Sequence, residues 1–167
     1  MPNILITGTP GVGKSSLSAL LAQALPSLNY IDLGQTIRQK HLHDGLDEEW
    51  DSLTLNEDKV CDYLEDIITT RNNVIDYHTC DFFPERFFDL VIVVRCSNDV
   101  LYPRLEARGY SEKKIQENVE AEIMQVVLDE ARDSYREDIV WEVQSNTIEE
   151  MEESVNRIAD WVKKFEG

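Results

Sequence analysis

Short apolar runs alternate along this chain with longer segments in which apolar positions recur every three or four residues. The runs fall at residues 3–7 (NILIT), 30–32, 74–76, 90–94 (LVIVV) and 139–143, and they predict five strands. The first and fourth are apolar almost throughout, as central strands of a parallel sheet covered on both faces must be. Between them, Leu17, Leu20, Leu21 and Ala24 make one helical stripe, and Val60, Tyr63, Leu64, Ile67 and Ile68 another. The spacing predicts one long helix from Ser111 to about Asp138, with Ile115, Val119, Ile123 and Val126 on one face. A last helix begins at Thr147, whose spacing to Glu150 is that of a capping box. Its stripe is Met151, Val155, Ile158, Val162 and Phe165, a plain core-packing face. The order β-α-β-α-α-β-β-α-α-β-α predicts an α/β fold, a five-stranded parallel sheet flanked by helices, with ligands at the carboxyl ends of the strands.

No Pro/Gly/Ser-rich linker or repeat divides the 167 residues, so a single domain is expected. The longest apolar run spans only residues 90–94, which gives no transmembrane candidate. The start, MPNILITG, has neither the basic residues nor the long apolar stretch of a signal peptide, so residence inside the cell is expected. Cys61, Cys80 and Cys96 form no CxxC pair and read as reduced thiols. The charge is informative. Acids number 33 against 16 bases, a formal net charge of −17, and the excess runs through residues 1–110 and 111–167 alike. Such a surface repels phosphate backbones, so no direct nucleic acid binding is expected, whereas a basic protein would be attracted.

Residues 8–15, GTPGVGKS, match GxxxxGK[ST] in full, with an apolar strand before and an amphipathic helix after. Glycines let the backbone fold so that successive N–H groups face phosphate oxygens at the positive end of the helix. Lys14 is placed to reach the β- and γ-phosphates, and the Ser15 hydroxyl to bind Mg²⁺. A carboxylate at the end of a neighbouring strand completes such a metal site. Asp76, ending Asn-Val-Ile-Asp, is the first candidate, and Asp32, ending Tyr-Ile-Asp, the second. His78 follows two residues after Asp76 and is a candidate to orient water or a phosphate. Arg104 and Arg108 sit four apart before Gly109-Tyr110, so that on a helix they share a face and close over ATP as a short lid. Arg38, four residues after Gly34, is a candidate clamp for the acceptor phosphate. The Asn-Lys-x-Asp element of guanine-specific GTPases is absent.

GTPGVGKS, the stretch at 74–87 (VIDYHTCDFFPERF) and that at 104–110 (RLEARGY) resemble the adenylate kinase isoenzyme 6 family, also called coilin-interacting nuclear ATPase protein. The likeness runs over nearly the whole chain. It implies a nucleoside monophosphate kinase fold with strand order 2-3-1-4-5, adenylate kinase and ATPase activities with Mg²⁺, and ATP and AMP as substrates. It also implies a nuclear and cytoplasmic role in maturing the small ribosomal subunit and its 18S rRNA, beside a platform ribosomal protein. By the resemblance Gly11, Gly13, Lys14, Ser15 and Ser16 hold ATP phosphates, Arg108 contacts ATP from the lid, and Asp76 and His78 form a Walker-B-like pair. The AMP segment is then about 31–54 and the lid about 107–117. The chain departs from general adenylate kinases at Gly34-Gln35-Thr36-Ile37-Arg38, where they have Gly-Asp-Leu-Leu-Arg, and at Pro84-Glu85-Arg86, where they have a compact Gly-Phe-Pro-Arg. No second arginine pair follows the lid, Arg132 and Arg136 lying far along the next helix. Five carboxylates, Asp44, Asp47, Glu48, Glu49 and Asp51, fall inside the AMP segment and suit a basic partner better than a phosphate.

Three readings follow. One is a nucleoside monophosphate kinase, ATP + AMP ⇌ 2 ADP. Another is an assembly factor whose nucleotide state switches binding to a basic ribosomal protein. The last is a kinase of a small metabolite, which shares the P-loop but needs another acceptor segment.

Overall fold

The computed structural model describes residues 1–47 and 52–165, with residues 43–47 and 52–55 described by their backbone alone. Five strands form one parallel sheet: β1 (Asn3–Thr7), β2 (Asn29–Asp32), β5 (Asn73–Asp76), β6 (Leu90–Arg95) and β7 (Val140–Gln144). Their spatial order is β2-β5-β1-β6-β7, which counted over this sheet alone is 2-3-1-4-5. β1 lies between β5 and β6, with Ile4 opposite Val74 on one side and Leu90 on the other. Every residue of β1 is buried, as its unbroken apolar run requires.

Alternation along the strands divides the core. Leu5, Ile75, Val91 and Val93 face one layer, packed by α2 (Leu33–Gln39), α3 (Glu57–Thr70), α6 (Val126–Ser134) and the aromatic residues Phe83, Phe87 and Phe88. Ile4, Ile6, Val74, Ile92 and Val94 face the other, packed by α1 (Lys14–Ala24), α4 (Asn98–Ala107), α5 (Glu112–Ile123) and α7 (Ile148–Lys164). Thr147 caps α7 by accepting from the Glu150 N–H, and the Glu150 carboxylate reaches back to the Asn146 N–H. The expected stripe on α7 holds at Met151, Val155 and Ile158, which are buried.

The long helix expected over 111–138 is two helices. α5 ends at Ile123, Gln125 takes a left-handed φ of 58°, and α6 begins at Val126. The cause is topological. Ile115 belongs to one core layer, while Val127, Leu128 and Ala131 belong to the other, so the chain must bend to pass over the end of the sheet. The stripe fails at the bend, where Ile123 is 55% exposed and Val126 41% exposed. The other difference is an antiparallel hairpin, β3 (His43–Asp47) with β4 (Ser52–Leu55), at the end of the segment 31–54 and one residue beyond it. HDGLD does not alternate apolar and polar residues, and SLTL, which does, is only four residues long, so the pair does not announce itself.

Candidate active site

The turn from β1 into α1 is shaped by glycines. A Cβ on Gly8 would stand 2.6 Å from the Val94 carbonyl oxygen, and Gly13, the cap of α1, has a φ of 111°. Lys14 folds over this turn, its Nζ donating to the carbonyls of Gly8 (2.9 Å) and Thr9 (3.2 Å). Ser15 follows, exposed at the foot of α1. β2 and β5 end side by side, with Asp32 and Asp76 directly paired in register, so both expected carboxylates reach the same place. Asp32 also caps α2, its Oδ1 accepting from the Gln35 N–H at 3.1 Å. Ser15, Asp32 and Asp76 offer hard oxygen donors of the kind that hold Mg²⁺ together with substrate phosphates. Ser15 and the two strand-end carboxylates thus fit the ion.

These groups open into one cleft of about 920 Å³ that Lys14, Arg38, His78, Arg108 and Lys114 also line. Burial moves the Lys14 pKa down to about 8, with Asp76 opposing the shift and Arg108 adding to it. Burial raises the Asp76 pKa, Lys14 pulls it back, and the neighbouring Asp32 pushes it up again. His78 presents its ring to the cleft beside Tyr77, the ring centroids 4.4 Å apart. The cleft walls first, and then Lys14, Lys114 and Arg108, hold its pKa below the ordinary imidazole range, so the ring is neutral at neutral pH. The arrangement presents cations to a polyphosphate, with a carboxylate pair beside them and a neutral imidazole across from them.

Not every expected residue meets there. Arg104 does not share the cleft with Arg108. Its guanidinium donates to the Val12 carbonyl and the Ser145 carbonyl, each at 2.7 Å, on the far side of the P-loop. The one-face argument misses this because the helix end is packed against the P-loop, where Arg104 finds two carbonyls that need donors. Gly11, Gly13 and Ser16 do not line the cleft themselves, Ser16 being exposed on α1 next to Ser15, which does. Arg86 is held by Glu65 in a two-oxygen pair, at 2.7 and 3.0 Å, and takes no part in the cleft. Of the acidic cluster, Asp44 and Asp47 lie on β3, while Glu48, Glu49 and Asp51 lie outside the described residues. The three cysteines are free thiols.

Two features have no clear signal in the sequence. Lys114 enters the cleft from the first turn of α5. Glu122, 2% exposed at the other end of that helix, accepts from the Thr9 hydroxyl (2.9 Å), Arg95 Nε (2.7 Å) and the Cys96 N–H (3.2 Å). A lysine pair and a glutamate in a helix carrying many acids read from sequence as solvated surface. Only the bend after Ile123, which turns the end of α5 under the P-loop, distinguishes Glu122.

Comparison with known proteins agrees with this geometry. Residues 4–125 match the model of the AAA domain family. The adenylate kinase isoenzyme 6 homolog of Dictyostelium discoideum is 49% identical over 164 residues, covering 98% of this chain and 93% of that protein. The homolog of Caenorhabditis elegans is 47% identical, covering 99% of this chain and 92% of that one. Among solved structures, shikimate kinase from Acinetobacter baumannii superposes with a TM-score of 0.66 at 13% identity, over 99% of this chain and 96% of its own, a likeness of fold. The chain belongs to the adenylate kinase isoenzyme 6 family, nucleotide kinases built on the P-loop fold.

Proposed function

We propose that this protein transfers a phosphoryl group from ATP to AMP, giving two ADP, with Mg²⁺ as cofactor. The observation that carries the reading is the single cleft in which Lys14, Arg108 and Arg38 stand on different walls around Asp76 and Asp32. Lys14, Ser15 and the backbone of Gly11 and Gly13 hold the donor phosphates, and Arg38, at the end of α2, faces the acceptor. Ser15 and Asp76 would hold Mg²⁺ with Asp32 beside them, and the ion would supply positive charge to the donor phosphates. The stretch 107–117, with Arg108, closes on the donor. The test is ADP formation from ATP with and without AMP. AMP-dependent production supports the reading, and its absence with a folded protein overturns it.

A second activity has its own support. His78 is neutral and faces the cleft next to the metal-binding end of β5, where it can accept a hydrogen bond from water aligned on the terminal phosphate. That position supports hydrolysis of ATP without AMP as a second activity. The net charge of −17 and the cluster from Asp44 to Asp51 support a basic small-subunit platform ribosomal protein as partner, in the nucleus and cytoplasm, as the family resemblance implies. Replacing Asp44, Asp47, Glu48, Glu49 and Asp51 by Asn or Gln should weaken capture of that protein at low salt. Equal capture at every salt concentration would remove the acidic segment from the interface.

A further inference from the structure

Lys114 stands third in α5, its backbone N–H donating to the Ser111 hydroxyl that caps the helix (3.2 Å). Its ammonium lies 4.1 Å from the centroid of the Tyr110 ring. Arg108 reaches the same tyrosine, with its guanidinium carbon 5.9 Å from the ring centroid and Nη1 donating to the hydroxyl at 3.3 Å. The two cations of the lid are thus held on one aromatic hub that itself lines the cleft. Lys14 approaches from the P-loop, and all three cations act on His78. This gathering occurs in a chain with 33 acids and only 16 bases. Among the described residues neither Arg108 nor Lys114 is ion-paired with a carboxylate, although Glu117 lines the same wall.

Like charges gathered along one cleft repel. A carboxylate would remove that repulsion, and this chain has carboxylates in excess. Stacking on Tyr110 instead fixes the position of Lys114 and leaves its charge intact. An anion entering between the lid and the P-loop converts each repulsion into an attraction.

We propose that Lys114 is a further catalytic residue of the phosphoryl transfer described above, contacting the group in flight between donor and acceptor. The inference rests on that reading of the cleft. An acceptor phosphate oxygen bonds to the γ-phosphorus of ATP, and the bond from that phosphorus to the β–γ bridging oxygen breaks. The electron pair leaves on the ADP oxygen. Lys114 remains an ammonium throughout, donating hydrogen bonds to the equatorial oxygens, where the charge must be matched opposite Lys14.

The test uses the full chain with Lys114→Met, which keeps the stem on Tyr110, and Lys114→Arg, which keeps the charge. Rates of ADP formation give kcat and KM, and calorimetry gives the affinity for ATP and for diadenosine pentaphosphate, whose additional phosphate spans donor and acceptor. Lys114→Met should lose about 100-fold in kcat with the ATP KM moving less than about threefold, the pattern of a contact made in the transition state. Its affinity for diadenosine pentaphosphate should fall by more than about tenfold while that for ATP stays within about threefold, and Lys114→Arg should recover most of both losses. Lys114→Met with unchanged kcat and unchanged analogue affinity overturns the proposal, and so does Lys114→Arg failing as badly as Lys114→Met. Should Lys114→Met not fold, Lys114→Gln enters the same comparison. If wild type forms no ADP from ATP and AMP, the kinase reading fails separately. The analogue affinities of the variants then still decide whether Lys114 meets a phosphate at the junction.

Discussion

Truncating Glu122 should destabilise the fold more than any catalytic substitution in the cleft. The Glu122 side chain is 3% exposed and that of its partner Arg95 12%, so the pair is largely out of water. One carboxylate oxygen accepts from Thr9, the other from Arg95 and the Cys96 N–H, and the Glu122 carbonyl takes a second bond from Arg95 at 3.0 Å. Glu122→Ala removes the acceptor for all three side-chain-directed bonds and leaves Arg95 with Glu142, a half-exposed carboxylate at 3.1 Å. Breaking a buried pair from one side costs about 3–5 kcal/mol. Glu142 screens part of the orphaned charge, so the lower end of that range applies. For a domain of this length such a loss lowers the melting temperature by about 6–12 °C. Glu122→Gln keeps the shape and one acceptor oxygen, and should cost about half as much, since it forfeits charge assistance and little packing. The assay is urea unfolding of wild type, Glu122→Ala, Arg95→Met and the double variant. The coupling energy in that cycle should exceed about 1.5 kcal/mol, with the double variant more stable than the sum of the singles predicts. Additive singles, or a Glu122→Ala midpoint at the wild-type value, would refute the reasoning.

Other expected outcomes concern the cleft. Lys14→Ala should lose at least about 100-fold in turnover, roughly 2.7 kcal/mol, while unfolding like wild type; a folded variant with normal turnover would remove Lys14 from the chemistry. Asp76→Asn should shift the Mg²⁺ titration of activity to higher concentration, and an unshifted curve would transfer the role to Asp32. Lys14 has its pKa lowered to about 8, so its ammonium is complete below that pH and lost above it. The kcat/KM for ATP should therefore fall as pH rises through about 8, approaching tenfold per unit, and a flat profile up to pH 9.5 would contradict the assignment. Arg104→Met should lower both stability and nucleotide affinity, because it releases the Val12 carbonyl, whereas Arg108→Met should lower kcat and leave unfolding unchanged.

The strands were legible because burial on both faces demands continuous apolar runs, and the P-loop because its backbone path demands glycines at fixed places. Register followed less directly. Asp32 and Asp76 could each be marked as strand-end carboxylates, but only the pairing of β2 with β5 sets them side by side. The bend at Gln125 was hidden because Ile115, Val119, Ile123 and Val126 keep helical spacing across it. A stripe reports which residues seek burial and says nothing of which face of the sheet buries them. Arg104 and Arg108 show the same limit. Their spacing gives a common helix face, yet Gly109 and its left-handed φ of 77° end that helix, and the two side chains go to opposite sides of the P-loop.

That division separates the P-loop from the stretch proposed as a lid. A P-loop whose N–H groups are kept for an anion leaves carbonyls that need other donors. Here Gly8 and Thr9 receive Lys14, and Val12 receives both Arg104 and the Ser145 hydroxyl. The Thr9 side chain is tied to Glu122. The donors come from α4, from the turn before α7 and from the P-loop's own lysine, while the far end of α5 grips the loop through Glu122. α4 is therefore pinned at Arg104 and α5 at Glu122, and the stretch between them, with Arg108, Tyr110 and Lys114, is supported at both ends. On the proposed reading, that stretch would bring its cations to the phosphates while the anchored N–H groups of the cradle stay in place. The anchors must be arginine and glutamate because each satisfies several buried partners at once, and a smaller side chain would leave some carbonyl or N–H of the cradle unpaired.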